Sequence, residues 1–89
     1  MQIAILEPKD FSQMALKNLS NMGVVEQYNN ENLDKFLFNK EVLFIRLAHL
    51  IDKDFLNKLN KIKYICTPTT GLNHIDIEEC DKRKIKVIS

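Results

Sequence analysis

Val42-Leu43-Phe44-Ile45-Arg46, then Asp52 with Phe55, Leu56, Leu59 and Ile62 behind it, then Tyr64-Ile65-Cys66-Thr67: this stretch decides the fold class. The first four residues are an unbroken apolar run, as a strand covered on both faces requires. Asp52 has the side chain of a helix N-cap, and the four apolar residues after it recur at three- and four-residue steps, the inner stripe of a helix. Residues 64–67 are extended again. Strand, helix and strand in so short a span predict a parallel pair joined by a helical crossover.

The same alternation continues outward. Gln2-Ile3-Ala4-Ile5-Leu6 reads as a first buried strand, and after Pro8 the residues Phe11, Met14, Ala15, Leu19 and Met22 make one helical core stripe that stops at Gly23. Residues 24–28 are a second extended run, with Asn29-Asn30 as turn and cap chemistry before a short helix on Leu33, Phe36 and Leu37. Beyond Thr67, Asp76 and Glu79 have capping-box spacing, Ile75 and Cys80 can staple across it, and Lys82-Arg83-Lys84 suit the negative end of a helix dipole. Residues 85–88 form a fifth strand. The expectation is an α/β, flavodoxin-like three-layer sandwich on a five-stranded, mainly parallel sheet of order 2-1-3-4-5. The last predicted strand closes the chain with no helix after it, so residues 1–89 are expected to be part of a domain.

Composition narrows the function classes. The chain has 89 residues, 45% hydrophobic and 28% charged, which is too apolar for a disordered segment and enough for one core. Net charge is +1 and the lysines are interleaved with acids, so no basic face for nucleic acid or anionic lipid is present. The chain shows no membrane-length apolar run, no signal peptide is expected, and Cys66 and Cys80 match no metal or redox spacing; the expected location is the cytoplasm. Both thiols read as inert core groups.

In open parallel sheets ligands bind beyond the carboxyl ends of the strands, here Glu7-Pro8, Tyr28-Asn29, Arg46-Leu47-Ala48 and the loop Thr67-Pro68-Thr69-Thr70-Gly71-Leu72-Asn73. That loop joins hydroxyls, a proline and a glycine whose bare backbone lets amides approach an anion. On composition it suits either a plain turn or a carboxylate anchor. Arg46, whose guanidinium forks to carboxylate or phosphate, suits either a ligand or a salt bridge to a neighbouring loop. His49 and His74 are expected to be structural or surface groups, and the Lys53, Lys58, Lys61, Lys63 series a solvated face.

The run Tyr64-Ile65-Cys66-Thr67-Pro68-Thr69-Thr70-Gly71-Leu72-Asn73-His74-Ile75-Asp76, with Lys82-Arg83-Lys84-Ile85-Lys86-Val87 after it, resembles the N-terminal part of the catalytic, substrate-binding domain of D-isomer-specific 2-hydroxyacid dehydrogenases, among them phosphoglycerate dehydrogenase. Phe44-Ile45-Arg46 and residues 51–56 resemble the family's preceding strand-Arg element and helix. Two positions depart: Thr69 stands where many members have a first glycine, and Lys84 replaces the glycine after the last helix, so that turn must avoid positive φ or tolerate strain. The resemblance implies that the backbone amides of Thr70 and Gly71 hold a substrate carboxylate, with Thr69 at the loop edge and Arg46 as helper. It also implies a small 2-hydroxy or 2-keto acid substrate and NAD or NADP in the complete enzyme; a homodimer is a separate expectation, from the sheet face left uncovered.

This chain has no Gly-x-Gly-x-x-Gly, since its two glycines are Gly23 and Gly71. The expectation is therefore that it binds no cofactor and carries no catalytic residue, the arginine, glutamate and histidine of the family's chemistry belonging to a cofactor-binding domain outside it. The alternative is a stand-alone flavodoxin-like dimerisation or interaction module without catalysis.

Overall fold

The structure is a computed structural model describing residues 1–8, 11–68 and 71–89. Its elements are β1 (Gln2–Ile5), α1 (Gln13–Ser20), β2 (Val24–Gln27), α2 (Leu33–Leu37), β3 (Val42–Phe44), α3 (Lys53–Leu56), β4 (Tyr64–Cys66), α4 (Ile77–Lys82) and β5 (Lys86–Ile88). The sheet order is β2-β1-β3-β4-β5, and every pairing is parallel rather than mainly so. Each pair of successive strands is bridged by a helix, as parallel geometry demands.

Register assigns the faces. Ala4, Leu43, Ile65 and Val87 lie side by side across four strands and pack with residues of α2, α3 and α4 in one cluster that includes Phe36, Leu37, Phe55, Leu56, Ile62 and Cys80. Each fully buried leucine or isoleucine there contributes about 1.5–3 kcal/mol of transfer free energy, so this layer dominates stability. The opposite face carries Ile3 and Ile5 with Val42, Phe44, Tyr64, Cys66 and Ile88, and α1 lies against its β2 end. Tyr64 and Ile88, toward β5, are exposed.

Three local readings are corrected. Met14 and Met22, expected in the core stripe of α1, are 75% and 67% exposed, and the inward residues are Ala15, Leu16 and Leu19. The helix starts later than expected, at Gln13 behind the N-cap Ser12, whose hydroxyl accepts the Ala15 N–H, so Phe11 precedes it and the helical phase rotates. Gly23 is not the helix cap, since α1 ends at Asn21; a Cβ at Gly23 would collide with the Met1 carbonyl oxygen that accepts the Val24 N–H. The cap of α2 is Asn32 rather than Asn29 or Asn30, and Asn30 takes the left-handed turn conformation at φ 56°.

At α4 the capping box is half formed. Asp76 accepts the Glu79 N–H at 3.0 Å, but the Glu79 carboxylate turns to Arg83 Nε at 2.9 Å. The helix ends in a Schellman motif: Lys84 donates to Asp81 and Ile85 to Cys80, with Lys84 at φ 60°. Lysine thus occupies the left-handed position, tolerating a strain of about 1 kcal/mol that glycine would avoid.

Candidate functional site

The sheet ladder continues past the strand ends. Leu6 donates to Phe44 O at 3.0 Å, Ile45 to Cys66 O at 2.9 Å and Thr67 to Ile88 O at 2.9 Å. Consecutive strands β1, β3 and β4 therefore release their next residues side by side at the carboxyl edge. Glu7, Arg46 and Pro68 line one small hollow there with Ile5, Phe11, Phe44 and Ile45, a volume of about 40 Å³. That is room for about one water, so this chain alone offers a wall rather than an enclosure. Phe11 closes its floor by an edge-to-face contact with Phe44, ring centres 5.9 Å apart.

Glu7 organises the β3–α3 loop, residues 45–52. Its carboxylate accepts the backbone N–H of Arg46 at 2.9 Å and of Ala48 at 3.0 Å, and meets His49 Nδ1 at 3.1 Å. The side chain is only 12% exposed. Burial pushes the carboxyl up, but the two amides and His49 outweigh it and hold it below the ordinary glutamate value. His49 also rests against Phe55, ring centres 6.3 Å apart, which gives it the structural place expected.

Arg46 itself is exposed, and its guanidinium makes no hydrogen bond or ion pair with any described residue. The salt bridge to a neighbouring loop, one of its two readings, is not formed among the described residues. An exposed guanidinium at this edge with no partner among the described residues suits an external anion.

The β4–α4 loop begins with Thr67, buried and bonded to β5, and Pro68. Thr69 and Thr70 lie outside the described residues, so the readings placed on them have no structural counterpart here. Gly71 is exposed, its φ is not positive, and a Cβ built on it would meet nothing within 4 Å. Neither turn geometry nor packing within the described chain calls for glycine at this position. The far end of the loop is laced to the β3–α3 loop: Ile51 donates to His74 O at 2.7 Å, and Asp76 donates to Ile51 O at 2.8 Å. Leu72 packs on the core and accepts the Ile75 N–H, which closes the turn.

His74 Nε2 is buried without a hydrogen-bond partner among the described residues. Cys66 and Cys80 are free thiols whose ionisation burial disfavours, in keeping with inert packing groups. No cluster of metal-ligating side chains occurs among the described residues. A larger groove of about 520 Å³ runs beside β2 and α2 along Glu26, Asn32, Phe36, Phe38 and Lys40, away from these loops. Lys40, buried there, is satisfied by Phe36 O, Asn39 Oδ1 and Glu26. Sequence reasoning placed Glu7 at the ligand edge but missed its role as the acceptor that holds the β3–α3 loop. Its signal was a single acid directly after the first apolar run, in a topology that sets the ends of β1 and β3 together.

A parallel 2-1-3-4-5 sheet with helical crossovers and two laced loops at the carboxyl ends of β3 and β4 defines an α/β domain of flavodoxin-like type. The model of the D-isomer specific 2-hydroxyacid dehydrogenase catalytic domain matches residues 3–89, and the chain belongs to that family. In fold it is similar to D-lactate dehydrogenase from Aquifex aeolicus, solved with NAD and lactic acid, at 20% identity over 98% of this chain and 27% of that one, TM-score 0.81. It is likewise similar to NAD+-bound 3-phosphoglycerate dehydrogenase of Entamoeba histolytica, at 24% identity, 98% and 32% coverage, TM-score 0.73. The NAD-dependent formate dehydrogenase of Staphylococcus aureus, solved with NAD, shares 19% identity with 98% and 31% coverage and a TM-score of 0.76. The chain thus spans less than a third of the length of each of these three structures. No curated protein sequence matches it significantly. No described helix is long and apolar enough to cross a membrane.

Proposed function

We propose that this chain is the carboxylate-holding wall of an NAD(P)-dependent 2-hydroxyacid dehydrogenase and is inactive by itself. The observation that carries this reading is Arg46: an exposed guanidinium without a partner among the described residues, at the carboxyl edge of β3, next to the strand whose loop bears Gly71. In this reading the backbone amides of Thr70 and Gly71 take the carboxylate of a small 2-hydroxy or 2-keto acid, Thr69 borders the loop, and Arg46 adds a charge-assisted bond. Holding one end of the substrate fixes where its C2 carbon stands, which is how a binding wall contributes to a reaction completed elsewhere.

The residues of this chain do not fit a dinucleotide. The first strand is followed by Glu7 and Pro8 instead of a glycine-rich turn, and a pyrophosphate there would meet the like charge of the Glu7 carboxylate. Residues 1–89 are accordingly read as a partial substrate-binding domain, with hydride transfer belonging to the complete protein.

The test is a titration of the isotopically labelled chain with pyruvate. The expected result is a site of roughly millimolar affinity, the level suited to one small anion on an open wall. The amide of Gly71 and the side chain of Arg46 should shift while core amides stay still. Calorimetry with NAD should show no binding; tight NAD binding would overturn the partial-domain reading.

A further inference from the structure

We infer that Glu7 is a positioning residue for this anion site: by holding the β3–α3 loop through two backbone amides and His49, it sets where Arg46 is presented. The inference rests on the carboxylate-holding reading given above.

Glu7 and Arg46 leave adjacent strands, and the Glu7 carboxylate spans 39 residues of sequence to the Arg46 N–H and 41 to the Ala48 N–H. Together these bonds fix the backbone on both sides of Leu47. His49 Nδ1 at 3.1 Å gives the carboxylate a third partner, so the first part of the loop is gathered on one group. With its amide anchored and its side chain exposed and unpaired among the described residues, Arg46 has a fixed root. Binding then costs less ordering entropy than it would from a loose loop. Glu7 also fills an amide pair that would otherwise attract the incoming carboxylate, so the anion is directed to Arg46.

Charge alone would act in the opposite sense. Glu7 is an anion beside an anion site, and removing its charge should tighten binding if electrostatic repulsion were its main effect. Positioning predicts weaker binding. The sign of the effect therefore decides between them.

Glu41 supplies a control at the other end of the sheet. Its carboxylate accepts the Gln2 N–H at 2.9 Å across 39 residues, a tether of the same kind that touches neither loop. Pyruvate is titrated into labelled wild type, Glu7→Gln and Glu41→Gln, with amide spectra confirming the fold of each. The inference expects wild-type binding, about tenfold weaker binding in Glu7→Gln, a value we estimate from one charge-assisted bond, and unchanged binding in Glu41→Gln.

Equal or tighter binding by Glu7→Gln overturns the inference and leaves the carboxylate-holding reading intact. Equal weakening in both variants also overturns it, because a general loss of tethering then explains the effect. Wild type failing to bind overturns the reading and the inference together. Should Glu7→Gln lose its fold, acid titration of wild type decides: the Arg46 and Ala48 amide protons must move with the Glu7 carboxyl, and amides that stay still overturn the inference.

Discussion

The β3–α3 and β4–α4 loops leave the same edge of the sheet from neighbouring strands, yet they are built differently. In the first, the amides of Arg46 and Ala48 are both taken by the internal carboxylate of Glu7, and the cation Arg46 is left facing outward. In the second, an exposed glycine sits where the described chain would accept a side chain. The first loop is held by a carboxylate of its own chain, whereas Gly71 in the second has open space where a Cβ would stand. In the proposed reading this difference divides the work of binding between the two loops, with fixed charge from one and close approach of backbone from the other.

The sharpest way to break this division is Arg46→Ala. Because the guanidinium touches no described partner, stability should change by less than about 0.5 kcal/mol. Pyruvate binding should fall about thirtyfold, the loss of a charge-assisted bond of about 2 kcal/mol. Melting curves together with a binding titration check both halves, and a large loss of stability would mean that the arginine is structural after all.

Glu7→Gln follows, with a stability loss of about 1 kcal/mol, since one part-buried acceptor of two amides is weakened. Its pH dependence has a definite sign. The folded carboxyl titrates below the ordinary value of 4.5, so its contribution is fully present above that value and is lost as pH falls through the lower, folded value. Glu41 and Glu79 are also held low, by the Gln2 amide and by Arg83 respectively, so wild type alone cannot isolate Glu7. The difference in melting temperature between wild type and Glu7→Gln should shrink on acidification from pH 5; a difference that grows would contradict the assignment.

Gly71→Ala probes the other loop. With a φ that is not positive and open space at its Cβ, the variant should be as stable as wild type or up to about 0.5 kcal/mol more so, through the reduced entropy of the unfolded chain. Binding should nonetheless weaken about fivefold, roughly 1 kcal/mol. Thermal melts and the same titration separate the two effects, and unchanged binding would return Gly71 to the reading of a plain turn. Smallest of all, Lys84→Gly lies outside both loops and relieves the left-handed strain at φ 60°, raising stability by about 0.5 kcal/mol with no change in binding.

How much of this the sequence could disclose varied with the range of the interaction. The strands were legible because Ile3 to Leu6 and Val42 to Ile45 are apolar without interruption, and their parallel pairing followed from helical crossovers, the order 2-1-3-4-5 being an expectation from the flavodoxin-like pattern. The caps Asp52 and Asp76 were legible because capping is a local bond, spanning three residues. Helical phase in α1 was not: Met14 is as apolar as Leu16, and only the position of Ser12 and the partly covered sheet face decide which of them turns inward. The role of Glu7 was not legible because its partners lie 39 to 42 residues away and are mostly backbone amides, which no side-chain pattern advertises. Lys40 illustrates the same limit, since a lysine reads as exposed until Glu26, Asn39 and the Phe36 carbonyl surround it. The Gly71 loop was legible as a candidate by its composition, and the family resemblance gave it a direction that composition lacked.

The central claim is that Arg46 and the Gly71 loop hold a carboxylate together. An amide and arginine side-chain NMR titration of this chain with pyruvate tests it most directly. The account predicts saturable, concerted shifts at Gly71 and at the Arg46 guanidinium with one dissociation constant; shifts confined to the groove along Phe36 and Lys40, or none at either loop, would contradict it.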